Sequence, residues 1–513
     1  MLLYIIRTGG CMENNEAIKL SFAKNINKFN FSTLISVPID TNVNIKTILN
    51  MDSKLINKKV EPGSGKVNFS GKILLNILYV DTDNMTNTIS ETQAFSETIT
   101  DPAITAESFV TITSVKVVDS VVSNVGSLKV NCDVSVESIV YLNLNMSNTV
   151  ANYENMVVKK NVVDACTITD VVNTKFDYVV NMETKDMVNK LLCYNSYFAP
   201  TSITACDDYA IVEGKIFSKL LYETSVGDNI AVKELTDSFA VKTELPIANL
   251  NHENNLDLSF FSSSGVDNIQ TEIEENNTTL TITHDIEVYG VACKSIAIDV
   301  VDDLYSTDNE INPTFATREY NKMGNCEHYT GNITGEVTIN ENETAIDEIV
   351  ANLNIVPEIT NTYVKDETIY IEGIISSQLI YLDENRELKS KQTELPFVAN
   401  TKIHCSVLDC HHLDISVTDS KAKAKRGTII ELEYGISVCI CCYQKGSFKM
   451  VDNLSIGKAL DFGMFDYQIF IAKPDETMWD LCKRIKINPD EIGKYNPNLP
   501  LVMTGGEKVI VKR

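Results

Sequence analysis

Three stretches of the chain alternate apolar and polar residues around the same landmarks: Lys66–Asp81, Tyr209–Thr224 and Thr368–Glu384. In each, a glycine (Gly71, Gly214, Gly373) is followed eight residues later by a tyrosine (Tyr79, Tyr222, Tyr381). A phenylalanine (Phe95, Phe239, Phe397) lies some two dozen residues past each glycine. Counted outward from the glycine, one face of the first copy carries Phe69, Ile73, Leu75, Ile77 and Tyr79. The same face carries Val212, Ile216, Ser218, Leu220 and Tyr222 in the second, and Ile371, Ile375, Ser377, Leu379 and Tyr381 in the third. A period of two predicts a strand with one buried face. A glycine inside such a strand predicts a bend, a bulge or a close backbone approach. Turn-rich segments follow at Asp81–Asn84, Gly227–Asn229 and Asp383–Asn385, so a second strand is expected to return as a hairpin.

The register continues in both directions. Ile48-Leu49, Leu191-Leu192 and Ile349-Val350 stand at nearly equal distances before the three glycines, and a short helix is expected there, with an extra strand as the alternative. Downstream, each copy closes on an alternating segment: Leu128–Val136, Leu280–Val288 and Ile429–Val438. The chain therefore divides into an N-terminal segment 1–29, β-rich repeats at 30–165, 166–310 and 311–450, and a remainder.

That remainder changes period. Residues 451–465 carry no clear pattern and are expected to be a linker. Phe470 and Ile471 end an aromatic strand. Thr477 can cap a helix with Asp480 three residues on as its capping partner. Asn488-Pro489-Asp490-Glu491 is a second start signal, with a cap, a proline at the first helical position and a carboxylate at the third. Tyr495–Leu499 is a loop and Lys508–Val511 alternates as a closing strand, so 466–513 is expected to fold in the order β-α-α-β.

Composition narrows the functions. With 513 residues there is room for several domains at about 100–200 residues each. The formal net charge of −26 repels a phosphate backbone and argues against general nucleic-acid binding. The thirteen cysteines are an odd number with no framework spacing, which reads as reduced thiols in a cytosolic compartment. No apolar run approaches the ~20 residues of a membrane span. Met1–Ile6 is too short for a signal segment, Thr8–Cys11 only weakly echoes a lipoprotein cleavage site, and translation starts at Met1 or Met12, with Met12 the blander reading.

Catalytic signatures are not found. Gly63-Ser64-Gly65-Lys66 resembles the tail of a phosphate-binding loop, but Val67 stands where Ser or Thr would hold magnesium, and the segment leads into a strand, so it reads as a turn. His404, Cys405, Cys410, His411 and His412 could meet Cys439, Cys441 and Cys442 around zinc. Their spacing fits no standard knuckle and the other repeats lack them. They are read as buried or rim thiols and solvated histidines, with no metal and no cofactor expected. Lys421–Arg426 is a basic run read as a solvated hairpin tip. Trp479, the single tryptophan, can pack on the small C-terminal core and also show an edge to a partner.

A triple β-rich repeat closed by this C-terminal pattern resembles a known architecture. The repeats resemble the SPOCS domain of sporulation proteins. Residues 470–479 resemble the opening of a LysM domain, an aromatic strand followed by Lys-Pro-Gly-Asp-Thr-Leu-Trp. The whole chain resembles the clostridial-type SpoIVA-interacting family of spore coat assembly. The resemblance implies a mainly β fold with some α: three SPOCS-like repeat domains followed by a small β-α-α-β LysM domain. It also implies a non-enzymatic scaffold in the mother-cell cytoplasm, at the forespore surface and in the spore coat. Its partner would be the morphogenetic ATPase that polymerises around the forespore. The binding groove would have one wall at Asp475, Glu476, Thr477 and Met478, with Trp479 beside it, and the other at Asn496, Pro497, Asn498 and Leu499. Asp475-Glu476 replaces the family's Gly-Asp, adding a side chain and a charge where backbone would approach a sugar. That departure favours a protein ligand. A peptidoglycan- or chitin-like glycan is the alternative.

Overall fold

The computed structural model describes residues 18–512, apart from 38–44, 103, 107, 124–127, 147–154, 227–228, 273–276, 340–343, 403–409 and 464–465. The segment holding Met1, Met12 and Thr8–Cys11 lies outside the described residues, as do His404, Cys405 and the start of the Gly227–Asn229 turn.

One strand plan occurs three times. The first unit runs β1 (Ile18–Val37), β2 (Ile45–Gly63), β3 (Lys66–Asp81), β4 (Thr86–Thr100), β5 (Phe109–Ser123) and β6 (Leu128–Met146). Its sheets have the orders β2-β3-β4 and β1-β6-β5, all antiparallel. The second unit runs β7 (Met156–Thr184), β8 (Val188–Ala205), β9 (Tyr209–Val226), β10 (Asn229–Pro246), β11 (Asn254–Glu272) and β12 (Asn277–Ser306). The third runs β13 (Asn309–Thr338), β14 (Ile346–Lys365), β15 (Thr368–Asp383), β16 (Leu388–Lys402), β17 (Cys410–Arg426) and β18 (Ile429–Ala459). Their sheets repeat the plan as β8-β9-β10 with β7-β12-β11, and β14-β15-β16 with β13-β18-β17. The boundary drawn between residues 165 and 166 falls inside β7, and the expected linker begins inside β18.

Each unit is a sandwich whose core joins the middle strands of its two sheets. In the third unit Ile371, Ile375, Leu379 and Tyr381 of β15 pack with Ile430, Leu432, Tyr434 and Ile436 of β18. The Gly–Tyr face expected from the sequence is buried in all three copies. The glycine's role is close approach. A Cβ on Gly373 would sit 2.3 Å from the Glu358 carbonyl oxygen and 2.5 Å from the Phe397 ring. Phe95 and Phe397 lie directly across from Gly71 and Gly373. In the second copy Phe239 is displaced to face Ile216, and it is Phe198 of β8 that covers Gly214.

The helices expected at Ile48-Leu49, Leu191-Leu192 and Ile349-Val350 are corrected to strands: these residues lie in β2, β8 and β14. Each pair sits at a register shift, between Ile48 and Asn50, Leu191 and Cys193, and Ile349 and Ala351. A bulge adds a residue to one strand, so the alternation changes phase and two adjacent apolar residues appear.

The bulges feed a core shared by the units. Leu49, Leu78 and Val80 of the first, Leu192 and Leu221 of the second, and Ala351, Leu353 and Ile380 of the third form one buried cluster. Leu78, Leu221 and Ile380 are equivalent, each preceding its repeat tyrosine. Polar joints also link the units. Between the first and second units, Lys58 pairs with Glu287 at 2.6 Å, and the Tyr289 hydroxyl donates to the Lys58 carbonyl at 2.8 Å. Between the second and third, Lys219 donates to the Asn352 carbonyl at 2.6 Å and to Ser420 Oγ at 2.8 Å. Between the third and first, Asn354 donates to Asn50 Oδ1 at 2.8 Å, and Gln378 to the Leu49 carbonyl at 3.0 Å.

The outer halves of β7, β12 and β18 extend past the sandwiches and pack on one another through Val163, Ala165, Ile298, Val300 and Phe448. At the base of this extension the uniform-thiol expectation is corrected at one pair. Strands β13 and β18 are registered so that Cys326 faces Cys441, and the two form a disulfide. A sequence separation of 115 hides that pairing from any spacing argument. Cys439 and Cys442 are buried and take no part in a disulfide. Among the described residues no group of three His, Cys, Asp or Glu is placed to hold a metal ion, and no helix is long and apolar enough to cross a membrane. The basic run lies along the end of the β17–β18 hairpin, where Lys425 pairs with Glu336 and Glu431.

Candidate partner-binding surface of the C-terminal module

After β18 the chain folds into β19 (Tyr467–Ile471), α1 (Met478–Ile485), α2 (Pro489–Tyr495) and β20 (Lys508–Lys512), with β19 and β20 antiparallel. Thr477 caps α1: its hydroxyl accepts from the Asp480 N–H at 3.2 Å, and Asp480 accepts in return from the Thr477 N–H at 3.3 Å. Asn488 Oδ1 accepts from the Asp490 N–H at 3.0 Å, with Pro489 opening α2. Leu481, Cys482, Ile485, Ile492, Val509 and Val511 fill the core.

The turn before α1 is built without glycine. Asp475 adopts φ +59°, a left-handed conformation in which a short polar side chain is tolerated. Glu476 is buried and forked by Arg484, with Nε at 2.7 Å and an Nη at 2.8 Å, and it accepts from the Lys473 N–H at 2.9 Å. Arg484 is the main cause of holding this carboxyl below its ordinary range. The turn is zipped to the strand-like segment before β20: the Met478 N–H donates to the Leu501 carbonyl and the Met503 N–H to the Glu476 carbonyl.

The loop after α2, expected as the opposite wall, hangs on Asn496. Its Nδ2 donates to the Ile510 carbonyl at 2.6 Å and its Oδ1 accepts from the Ile510 N–H at 2.8 Å. Of the residues expected to line the groove, Asp475, Thr477, Pro497 and Asn498 are exposed, and Met478, Asn496 and Leu499 are half-buried. Glu476 and Trp479 are buried, Trp479 at 4 % exposure. Two apolar residues that the sequence reading passed over stand beside the walls: Leu501 is 76 % and Val502 53 % exposed. Their signal was the apolar Leu499-Pro500-Leu501-Val502 run, which continues past the loop read at Tyr495–Leu499.

Trp479 is buried partly by a neighbour outside the module. Its ring meets the Tyr305 ring of β12 edge-on, with centroids 5.2 Å apart. Its indole N–H donates to Asp303 Oδ2 at 2.8 Å, and Lys483 Nζ lies 2.6 and 2.7 Å from the two oxygens of that carboxylate. The Tyr305 hydroxyl donates to the Ile487 carbonyl at 2.6 Å. Val157 of β7 completes the contact. Sequence reasoning could not pair Asp303 with Trp479, which lie 176 positions apart.

A family model described as SipL, SPOCS domain matches residues 44–141, which extend from the start of β2 into β6. No curated protein and no solved structure matches the chain.

Proposed function

We propose that the chain is a non-enzymatic scaffold of spore morphogenesis. Its three sandwiches share a buried core, and its C-terminal module is a LysM domain that binds the morphogenetic ATPase coating the forespore. It would act in the mother-cell cytoplasm, at the forespore surface and in the coat. The SPOCS match over residues 44–141 supports a sporulation-related protein-interaction role. The observation that carries the protein ligand is the make-up of the groove's surroundings. The Asp475 side chain and the exposed apolar Leu501 and Val502 stand where a sugar would need close backbone and polar edges.

The test uses the full chain against the purified ATPase and, separately, against insoluble peptidoglycan. Leu501→Asp changes an exposed residue and should keep the far-UV spectrum. It is expected to weaken ATPase binding at least about tenfold, ~1.4 kcal/mol. Retention on peptidoglycan with no affinity for the ATPase would transfer the assignment to glycan binding. A folded Leu501→Asp chain that binds the ATPase normally would remove this wall from the site.

A further inference from the structure

The contact between Trp479, Lys483 and Asp303 has the form of a filled binding site. Two donors from adjacent turns of α1, an indole N–H and an ammonium, converge on one carboxylate. The carboxylate arrives on an extended strand, and two residues later the same strand delivers a tyrosine that seats edge-on against the indole and bonds a backbone carbonyl. A register shift between Val301 and Asp303 breaks the β7–β12 ladder just before these residues, and such a bulge re-aims the side chains that follow it. An indole N–H can only donate, and a lysine ammonium only donates, so the group that satisfies both is an anionic acceptor. Burial pushes Asp303 up, but hydrogen bonds from Lys483 and Trp479 more than offset it and leave the carboxyl below its ordinary value.

We propose that Asp303-Leu304-Tyr305 is an internal pseudo-ligand, and that this face of α1 recognises extended acidic-x-aromatic segments of a partner protein. The inference rests on the module's being a protein-binding domain and names the chemistry it reads. Docked on β12, the clamp is occupied. A tethered ligand acts at millimolar effective concentration, so an outside segment binds only to the fraction of molecules in which the module has lifted away. The partner must therefore carry the same pair, a carboxylate and an aromatic two residues on, and displace this one.

The test reads the single tryptophan of the full-length protein. Asp303→Asn fits the same space and removes the charge, and Asp303→Lys repels Lys483. Trp479 emission should shift to the red in the order wild type, Asp303→Asn, Asp303→Lys, with the far-UV spectrum unchanged. The probe is a labelled synthetic peptide spanning Ile298–Asp308, followed by anisotropy. Its affinity should rise at least about tenfold from wild type to Asp303→Lys. The same peptide carrying asparagine at its Asp303 position should not bind. If Asp303→Lys loses its fold, the isosteric variant carries the same expectation. Unchanged emission in the folded variants, equal peptide affinity throughout, or equal binding of the asparagine peptide would overturn the proposal. Wild-type protein that binds the ATPase as tightly as Asp303→Lys would overturn it too, while leaving the function proposed above intact.

Discussion

Gly71, Gly214 and Gly373 show how little space a single position can leave. An added Cβ would come within 3.3 Å of a backbone oxygen at Gly71, 2.6 Å at Gly214 and 2.3 Å at Gly373. Alanine substitutions should therefore destabilise in that order, from under ~1 kcal/mol at Gly71 to ~3 kcal/mol at Gly373, measured by urea unfolding. Equal costs at the three would contradict close approach. These glycines were legible because they recur; His284 was not. It is buried in β12, where Ser196 Oγ lies 2.7 Å from Nδ1 and the Tyr194 hydroxyl 3.2 Å from Nε2, and nothing in the sequence joins these residues. Burial pushes its pKa down to about 4. Its unfolded value is about 6.5, so the folded chain holds neutral histidine and the unfolded chain takes the proton first. The stability contributed is complete above pH ~6.5 and is lost as pH falls toward 4, about 2 kcal/mol of it by pH ~5. His284→Gln should abolish that part of the pH dependence, as seen by comparing unfolding free energies of the two proteins between pH 7 and 5. Parallel curves would show that the imidazole is not held neutral.

At the scale of elements, strands were legible wherever the alternation kept its phase. The Gly–Tyr strands and the closing strands β6, β12 and β18 were all found by period alone. The strands preceding them, β2, β8 and β14, were misread as helical because each is bulged at the same place. Ile48-Leu49, Leu191-Leu192 and Ile349-Val350 put two apolar residues side by side, and both are used: the bulged strand serves the sandwich core and the shared core. The bulge is thus a working part. It lets Leu191 stay opposite Tyr222 and Cys193 opposite Leu221 while Leu192 enters the shared core. Leu192→Ala, which keeps the bulge, should cost only about 2–5 kcal/mol. A cost under ~1 kcal/mol in urea unfolding would mean that the bulge does not deliver Leu192 to the shared core. The C-terminal βααβ order was legible from its caps. The docking of Trp479 was not, because it joins α1 to the far end of β12.

For the whole molecule, the number of units could be counted in the sequence, but their closure into a ring could not. The joints use residues that differ between copies. At the fifth position past the glycine stand Asn76, Lys219 and Gln378. Lys219 reaches the third unit and Gln378 the first, whereas Asn76 accepts from Ser90 within its own sheet. Lys219 uses all three of its donors, the third on Glu234 at 3.0 Å. Lys219→Met should leave buried acceptors unmatched at a cost of about 2–4 kcal/mol, read by far-UV circular dichroism in urea. Lys242→Met, at a surface pair with Glu213, should leave the midpoint in place. If the two variants matched, the joint would carry no stability. The ring also sets a timetable. Asn354 reaches back to Asn50 across 304 residues, and the shared core around Leu49 and Leu78 awaits Leu353 and Ile380 from the same late segment. At roughly 5–20 residues per second, a ribosome takes about 15–60 s to cover that distance. For that interval the newborn first sandwich carries an apolar face that only Leu192 and Leu221 of the second unit can cover. Its correct mate is still unsynthesised, while the equivalent face of a chain further along the same messenger is already at hand.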